Sequence, residues 1–331
     1  MTYNANKNRY DVMNYRRCGR SGIKLPEISL GLWHNFGGID SYETGREIIL
    51  NAFDLGICHI DIANNYGPPP GSAEITFSRV LKDNLLPYRD ELIISTKAGY
   101  GMWPGPYGDF GSRKYLIASL DASLKRMGLD YVDIFYHHRP DPETPIEETM
   151  AALADIVHQG KALYAGISNY NAEQSAKAIS VLRSLGVPCL IHQPRYSMLD
   201  RWIEDGLLDV LSKEGSGCIC FSPLAQGLLT GRYLDGVVPE GSRAAKNFSL
   251  PSSTITPQLQ EKLNALDALA KEGGRTLATL AIRWILRDNR ITSVLVGASS
   301  RAQLKENLSA LSQAPLSKDE IDRVEKILQM P

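Results

Sequence analysis

The amino-acid sequence predicts a (β/α)8 barrel, in which eight parallel strands close into a ring and each strand is followed by a helix. Eight short apolar runs, each typical of a buried strand, alternate with segments whose apolar residues recur three and four positions apart. The length of 331 residues suits one such barrel with insertions, and no low-complexity linker divides the chain. We therefore expect a single domain over residues 1–331.

The order of the elements follows from the same pattern. Residues 15–17 and 23–25 flank a turn that contains two glycines, which predicts an N-terminal β-hairpin that caps the floor of the barrel. Helical periodicity is clear at Leu116, Leu120 and Leu124, and again at Ile179, Leu182 and Leu185. The eight predicted strands are 28–32, 59–63, 92–96, 132–136, 163–167, 190–192, 218–221 and 293–296.

Two loops are longer than a barrel requires, namely 99–111 and 231–257. Long loops in compact domains are commonly functional lids or disordered segments. The second loop is rich in Ser, Pro and Gly, and the sequence leaves its role open. The aromatic residues of the first loop predict a wall of a substrate site: Tyr100, Trp103, Tyr107 and Phe110.

The amino-acid composition limits the kinds of function that we expect of this protein. The net charge of −1 and the absence of long charged runs give no reason to expect nucleic-acid binding. No stretch approaches the about 18 apolar residues of a membrane span, and the N-terminus lacks an apolar signal core, so we expect a cytoplasmic protein. The five cysteines then read as small buried residues, and Cys218 and Cys220 lack the spacing of a zinc site. We predict no metal.

Polar residues gather at the ends of the predicted strands. In a barrel of this kind, catalysis takes place where the strands end and the βα loops begin. The end residues in strand order are Asp61 and Tyr66, Lys97, His137, His138 and Arg139, Ser168 and Asn169, Gln193, Phe221 and Ser222, and Gly297, Ala298 and Ser299. Their arrangement predicts an active site at this mouth.

Asp61 lies inside an apolar run, and a buried carboxylate is unfavourable unless it is paired. Lys97, at the next strand end, is the expected partner. Its ammonium would also lower the pKa of Tyr66, which is near 10 in an unperturbed tyrosine. A histidine of the fourth strand end would donate a hydrogen bond nearby. Together these groups predict a proton donor directed at an oxygen on which negative charge develops, as in the reduction of a carbonyl by hydride.

The sequence resembles the aldo-keto reductases from residue 15 to about residue 311. Five segments match that family's motifs in that family's order. They are DIANNYG (61–67), SLDASLKRMGLDYVDIF (119–135), GISN (166–169), FSPLAQGLLTGRY (221–233) and GASSRAQLKENL (297–308). The segments YGPPPGSAE (66–74) and KAGYGMWPGPYG (97–108) are similar to the bacterial L-glyceraldehyde 3-phosphate reductase branch, which is related to potassium-channel β subunits.

The resemblance implies a (β/α)8 TIM barrel, NADPH as hydride donor, and a catalytic tetrad of Asp61, Tyr66, Lys97 and His138. The family's catalytic histidine precedes Arg or Trp and then an acidic position, and HRPD (138–141) fits only His138. Strand alternation supports the same choice, because His138 shares a face with Tyr136 whereas His137 lies on the other face.

The sequence contains neither GxGxxG after a strand nor GxxxxGK[ST], so the cofactor assignment rests on the resemblance. Many family members hold the 2′-phosphate of NADPH with a Lys-Ser pair and a distant Arg, and this chain has Ala298, Ser299 and Gln303 there. NADPH is expected over NADH, with Arg232, Arg243, Arg301 and Lys305 as candidate substitutes. The implied cofactor-binding residues are Trp33, Ser168, Asn169, Gln193, Phe221, Ser222, Pro223, Leu224, Gln226, Gly227, Arg232, Arg243, Gly297, Ser299, Gln303, Glu306 and Asn307.

The function expected from these residues is reduction of small aldehydes, with L-glyceraldehyde 3-phosphate and methylglyoxal as candidate substrates. Trp33, Trp103 and Arg139 are the expected substrate contacts. Three cations, Arg139, Arg113 and Arg195, either bind an anionic substrate or form ordinary surface salt bridges.

Two alternatives remain. One is a redox-sensing subunit that binds NADP(H) and turns over slowly; the other is a lyase that forms a Schiff base on Lys97. The resemblance also implies a homo-oligomer, tetrameric or larger.

Overall fold

The structure is a computed structural model of the chain and describes residues 3–239, 242–246 and 250–330. Two short antiparallel strands precede a closed barrel of eight parallel strands. This confirms the predicted (β/α)8 barrel and its N-terminal hairpin. The strands are β1 Tyr15–Arg17, β2 Lys24–Pro26, β3 Ile28–Gly31, β4 His59–Asp61, β5 Ile93–Ala98, β6 Val132–His137, β7 Ala162–Ser168, β8 Cys189–Gln193, β9 Gly217–Cys220 and β10 Ser293–Val296.

The barrel strands follow chain order, and β10 closes the ring by pairing with both β9 and β3. Asp61 lies opposite Ser95 in the β4–β5 pair, and Lys97 lies opposite Tyr136 in the β5–β6 pair. Because strands in a parallel barrel all end at the same mouth, this register brings the polar strand ends together.

Eleven helices occur among the described residues, and the sequence patterns that predicted them largely hold. Leu116, Leu120 and Leu124 are all buried, whereas Leu185 follows its helix and is 38% exposed. No helix in the described part of the chain is long and apolar enough to cross a membrane. The helices are α1 Tyr42–Asp54, α2 Ser72–Val80, α3 Arg113–Met127, α4 Ile146–His158, α5 Ala172–Ser184, α6 Leu207–Glu214, α7 Arg243–Lys246, α8 Pro257–Glu272, α9 Leu277–Leu286, α10 Arg301–Ser312 and α11 Lys318–Leu328.

Four strands, β5 to β8, are longer at their C-terminal ends than the sequence predicted, and two of these extensions concern Lys97 and its neighbour strand. β5 continues through Lys97 to Ala98, and β6 continues to His137. Both extensions are fully buried, so their backbone groups need partners, and the neighbouring strand supplies them. The side chain of Lys97 is therefore held on a rigid strand rather than on a loop.

The hairpin closes the end of the barrel opposite to the polar mouth. Cys18 and Leu25 are fully buried and pack with apolar residues of the barrel interior, including Leu190 and Ile219. A side chain at Gly217 would meet Cys18 Sγ at 2.4 Å, so the start of β9 needs a glycine for this close approach. The floor of the barrel is thus sealed by apolar packing, which confirms the predicted cap.

Part of the described loop 231–257 packs into a small apolar cluster of its own. Tyr233 and Leu250 are buried in a small apolar cluster with Leu228 and Ala244. Residues 240, 241 and 247–249 of this loop lie outside the described residues.

All five cysteines are unpaired and buried. Burial raises the pKa of the Cys58 thiol to about 12 and that of the Cys189 thiol to about 12, which keeps both sulfurs protonated. Among the described residues, no cluster of three or more His, Cys, Asp or Glu side chains could hold a metal ion.

We predict that Leu25→Ala lowers the free energy of unfolding by about 2–5 kcal/mol, because it leaves a cavity in the sealed floor. Urea denaturation followed by circular dichroism measures the change. Leu163→Ala is the matched control, since Leu163 is 48% exposed on β7 and its truncation should cost about 0.5 kcal/mol or less. Equal effects of the two substitutions would show that the hairpin does not seal the barrel.

Candidate active site

Asp61 ends β4 with a fully buried carboxylate, and the structure gives it three side-chain partners. Its Oδ2 accepts a hydrogen bond from Lys97 Nζ at 2.5 Å. Its Oδ1 accepts from Ser95 Oγ at 2.7 Å and from Gln193 Nε2 at 3.0 Å. A buried ion pair is stable only when its remaining polar groups are also satisfied, and these contacts meet that condition.

Lys97 is fully buried on β5 and lies between Asp61 and the tyrosine at the mouth. Its ammonium also donates to the backbone carbonyl of Ile62 at 2.6 Å, and Nζ lies 5.0 Å from the centre of the Tyr66 ring. Burial lowers the pKa of Lys97, and the carboxylate of Asp61 opposes that shift. Both of its hydrogen-bond partners are acceptors, which favours the charged amine over the free amine that a Schiff-base lyase requires.

Tyr66 lies in the turn between β4 and α2 and is 9% exposed. Its backbone carbonyl accepts from Gly71 N at 3.1 Å and from Ala73 N at 3.2 Å, so the start of α2 fixes its position. Burial raises the pKa of Tyr66 well above 10, and the charge of Asp61 raises it further. This direction differs from the lowering that the sequence led us to expect, because desolvation and the carboxylate of Asp61 both raise the pKa. The phenol stays protonated, as a proton donor must.

His138 follows β6 and is 8% exposed beside Tyr66. The ring centroids of His138 and Tyr66 are 5.9 Å apart, and the Tyr100 ring lies 4.7 Å from His138, edge to face. Burial, followed by the charge of Lys97, lowers the pKa of His138 well below 6.5, so its ring is neutral. A neutral imidazole beside Tyr66 can offer one N–H to a substrate oxygen.

His137 is directed away from the mouth, as strand alternation predicts. Its Nδ1 lies 2.6 Å from the hydroxyl of Tyr170, and its Nε2 lies 3.3 Å from the carbonyl of Phe110. His137 therefore holds the end of the loop 99–111, and His138 is the histidine at the site.

Residues 27–329 match the profile described as Aldo/keto reductase family. The chain belongs to the aldo-keto reductase family. It is therefore an oxidoreductase, of a family whose members generally use NAD(P)H.

The relatives of this aldo-keto reductase cover almost its whole length. L-glyceraldehyde 3-phosphate reductase of Escherichia coli K12 is 54% identical over 331 residues, covering 98% of this chain and 95% of the relative, and the protein of the same name from E. coli O157:H7 gives the same values. A probable voltage-gated potassium channel subunit beta of rice, Oryza sativa subsp. japonica, is 36% identical over 322 residues, covering 96% of this chain and 97% of the relative.

The ends of β7 and β8 carry the residues expected at the nicotinamide. Ser168 Oγ donates to the carbonyl of Gln193 at 2.7 Å, and Asn169 Nδ2 donates to the carbonyl of His138 at 3.1 Å. Asn169 has a φ of 63°, a conformation that places its side chain across the mouth toward His138. These contacts bring three of the predicted cofactor residues beside the tetrad.

The segment after β9, expected at the pyrophosphate, has unusual backbone geometry. Ser222, Ala225 and Gln226 have φ values of 55°, 46° and 60°, although none of them is glycine. Such strain costs roughly 1–3 kcal/mol per residue and concentrates at ligand-binding segments. Phe221, Pro223, Leu224 and Gly227 lie in the same segment, and Phe221 is half-buried.

The start of α10, expected at the adenosine end, presents both exposed and buried groups. Gln303 Oε1 accepts from Ser299 N at 2.8 Å and from Ser299 Oγ at 3.0 Å. The side chain at this position is therefore a neutral amide that is bound to Ser299, and not a cationic side chain. Asn307 is 1% exposed, and its Nδ2 has no hydrogen-bond partner among the described residues. This unpaired donor and the exposed residues around it fit a ligand with acceptor atoms. The exposed residues are Gly297, Arg301, Lys305 and Glu306.

The other predicted cation positions lie in the loop after β9. Arg232 is exposed there, and the side chain of Arg243 lies outside the described residues.

Of the expected substrate contacts, Trp33 lies beside Tyr66, with 6.4 Å between the two ring centroids. Arg139 stacks between Tyr100 and Phe110, with its guanidinium carbon 4.4 Å and 4.1 Å from the ring centroids. Its Nη2 donates to Asp109 at 2.8 Å. Trp103 packs against Tyr115 at a centroid distance of 5.2 Å and is 37% exposed.

Sequence reasoning named Tyr100 only as one of four aromatic residues of the loop 99–111 and did not predict its contact with His138. The backbone carbonyl of Tyr100 accepts from Tyr115 Oη at 2.6 Å, and the same hydroxyl accepts from Asn64 Nδ2 at 3.0 Å. This bridge from the turn before Tyr66 holds Tyr100 against His138. Only its position three residues after Lys97 could have indicated the contact.

The buried histidines predict a stability loss in acid. Burial lowers the pKa of His59 to about 4, of His137 to about 4 and of His192 to about 3, and that of His138 falls well below 6.5. In the unfolded chain these groups protonate near pH 6.5, so the unfolded state binds more protons between about pH 6.5 and 4. The free energy of unfolding should therefore fall as the pH drops through this window, by roughly 1 kcal/mol per pH unit for each histidine.

Urea denaturation at pH 7, 6 and 5 measures this dependence. His192→Gln should make it shallower by one proton, because it removes one of the four neutral rings. A variant with an unchanged slope would contradict the assignment of His192 as a buried neutral group.

Proposed function

We propose that this protein reduces small aldehydes to alcohols with NADPH, and that Tyr66 donates the proton. The observation that carries the proposal is the contact of Asp61 with Lys97 and of Lys97 with the Tyr66 ring, beside a neutral His138. The name of the relatives that are 54% identical, L-glyceraldehyde 3-phosphate reductase, supports an aldehyde substrate.

The chemistry divides between the cofactor and the residues of the chain. A bound nicotinamide cofactor supplies a hydride to the carbonyl carbon. Negative charge then develops on the carbonyl oxygen, and Tyr66 Oη gives its proton to that oxygen. The ammonium of Lys97, 5.0 Å from the ring centre, stabilises the phenolate that Tyr66 becomes. Asp61 keeps Lys97 charged and in place.

His138 acts on the same oxygen in this proposal. Because its ring is neutral, it offers a hydrogen bond without placing a second positive charge beside Lys97. The aromatic rings of Trp33 and Tyr100 flank the Tyr66–His138 pair, which supports a narrow site for short aldehydes such as triose derivatives and methylglyoxal.

Arg139 is the cation that best supports a phosphorylated substrate. It stacks on Tyr100, which itself contacts His138. Arg113 pairs with Asp155, and Arg195 pairs with Asp200, both as partly exposed ion pairs. Arg139 is paired as well, with Asp109, but its guanidinium lies along the wall that leads to the tetrad. A phosphate there would receive charge-assisted hydrogen bonds.

The preference for NADPH over NADH rests on the exposed cations near Ser299, namely Arg301 and Lys305, because Gln303 carries no charge. The cytoplasmic location and a tetrameric or larger assembly stay predictions from the sequence.

We predict that Tyr66→Phe lowers kcat for aldehyde reduction by about 10²–10⁴-fold, the contribution of a general acid. Affinity for NADPH, measured by quenching of tryptophan fluorescence, should be unchanged because the ring is retained. Steady-state NADPH oxidation measures kcat. Unchanged turnover would remove Tyr66 as the proton donor.

We predict a preference for L-glyceraldehyde 3-phosphate over L-glyceraldehyde and methylglyoxal, with NADPH used better than NADH. Arg139→Met should reduce the ratio of kcat/KM for the phosphorylated to the unphosphorylated triose by about 10–100-fold, which is the loss of a charge-assisted hydrogen bond. Arg195→Met is the matched control, because Arg195 is a paired cation of a neighbouring loop.

Three outcomes of this panel are informative. An unchanged ratio in Arg139→Met would exclude Arg139 as the phosphate contact. Equal use of NADH would refute the cofactor preference. Tight NADPH binding with negligible turnover of all three aldehydes would favour the redox-sensing subunit instead.

A further inference from the structure

A chain of buried polar side chains runs through the barrel interior to the carboxylate of Asp61. Ser293 Oγ lies 2.7 Å from Ser29 Oγ, which lies 2.9 Å from His59 Nδ1. His59 Nε2 lies 3.0 Å from Ser95 Oγ, and Ser95 Oγ donates to Asp61 Oδ1 at 2.7 Å. All five residues are fully buried.

The direction of every hydrogen bond in this chain follows from the charge at its end. An ionised carboxylate only accepts, so the single proton of Ser95 points to Asp61. Ser95 Oγ must then accept a hydrogen bond from His59, which places the imidazole proton on Nε2.

The directions of the remaining hydrogen bonds follow from that tautomer. The ring of His59 is neutral, because burial lowers its pKa to about 4, so Nδ1 accepts a hydrogen bond from the hydroxyl of Ser29. Ser29 Oγ in turn accepts from Ser293. Every donor of the chain points towards Asp61.

This series of hydrogen bonds ends inside the protein, at Ser293. Ser29 and Ser293 are fully buried next to the apolar packing of the barrel, at the side away from the tetrad. A path that delivers protons needs a far end at solvent or at a titratable group, and neither follows Ser293 among the described residues. The aligned dipoles of this series instead stabilise and orient a fixed negative charge.

We propose that His59 and Ser95 are positioning residues of the active site, which act on the reaction by fixing the Asp61 carboxylate and, through it, the ammonium of Lys97. The proposal rests on the proposed function in so far as the reaction uses Lys97. Ser95 and Gln193 hold Oδ1, which leaves Oδ2 directed at Lys97 Nζ.

Breaking this series of hydrogen bonds would displace the charges of Asp61 and Lys97. Without Ser95 or His59, the Asp61 carboxylate can rotate, and Lys97 follows it away from its position 5.0 Å from the Tyr66 ring centre. Small displacements of a catalytic group reduce rates strongly, by up to about 100-fold for 1 Å. The charged and titratable groups that face His59, Asp61 and Lys97 in this region are Tyr66, Glu74, Tyr136 and His138.

The first test reads the tautomer of His59 directly. Long-range ¹H–¹⁵N spectra of the full-length protein with ¹⁵N-labelled histidine, at pH 7 without substrate, distinguish a protonated Nε2 from a protonated Nδ1. Comparison with His59→Gln assigns the signals among the six histidines. We expect the Nε2–H tautomer, and a proton on Nδ1 would overturn the proposal.

The Asp61→Asn variant tests the direction in which these hydrogen bonds are donated. The amide oxygen of the new residue should face Lys97, so its NH2 group faces Ser95 and turns the Ser95 hydroxyl towards His59. The proton of His59 should then move to Nδ1. If Asp61→Asn folds and His59 keeps its proton on Nε2, the carboxylate does not set the direction of the chain, and the proposal fails.

The second test separates positioning from simple stability. His59→Leu should lower kcat about 10- to 100-fold with little change in KM or in NADPH affinity. His59→Gln should restore much of the rate, because its amide can donate to Ser95 and accept from Ser29. The matched control is His192→Gln, a buried histidine that contacts the carbonyl of Tyr170 and is not connected to Asp61. Equal kcat values in wild type and His59→Leu would overturn the proposal.

The two tests also distinguish this inference from the proposed function. If Tyr66→Phe retains full turnover while His59 carries its proton on Nε2, the proposed function fails and the polarised chain stands. If Tyr66→Phe is inactive and His59→Leu is not impaired, the proposed function stands and the positioning role fails.

Discussion

The burial of the Asp61 carboxylate is the constraint on which the rest of the site depends. A fully buried charge is tolerated only with a counter-ion and with hydrogen bonds to its remaining lone pairs. Lys97, Ser95 and Gln193 supply these partners from two other strands. The same contacts fix Lys97 beside the ring of Tyr66, so the interaction that makes the buried charge tolerable also arranges the groups that we propose act on a substrate.

The two ends of the barrel differ in their packing and in their backbone conformation. The floor is closed by apolar contacts of Cys18 and Leu25 with residues of the barrel interior such as Leu190 and Ile219. The mouth holds all the described non-glycine residues with positive φ, which are Asn35, Phe110, Asn169, Ser222, Ala225 and Gln226. Strained backbone at one end is stable because the opposite end and the strands between are rigidly packed.

Much of the fold and part of the site could be predicted from the sequence. Alternating apolar runs and helical periods gave the eight strands, and strand alternation separated His138 from His137, because neighbouring residues of a strand must point to opposite faces. The pKa direction of Tyr66 could not be predicted, since it depends on how completely the ring is buried. The pairing of Arg139 with Asp109 also escaped prediction, because that contact lies between two loops whose conformations no local pattern specifies.

The sequence by itself determined the barrel and the order of its elements, because these depend on short-range periodicity and on chain order. Its resemblance to the aldo-keto reductases led to the prediction of the four groups at the mouth. The tertiary structure alone decided which partners each group has. Ser95 and His59 look like ordinary polar residues in strands, and only the closed barrel brings them into one line with Asp61. Hydrogen bonds across a barrel depend on register and on inward-facing geometry, which arise only when all eight strands have closed.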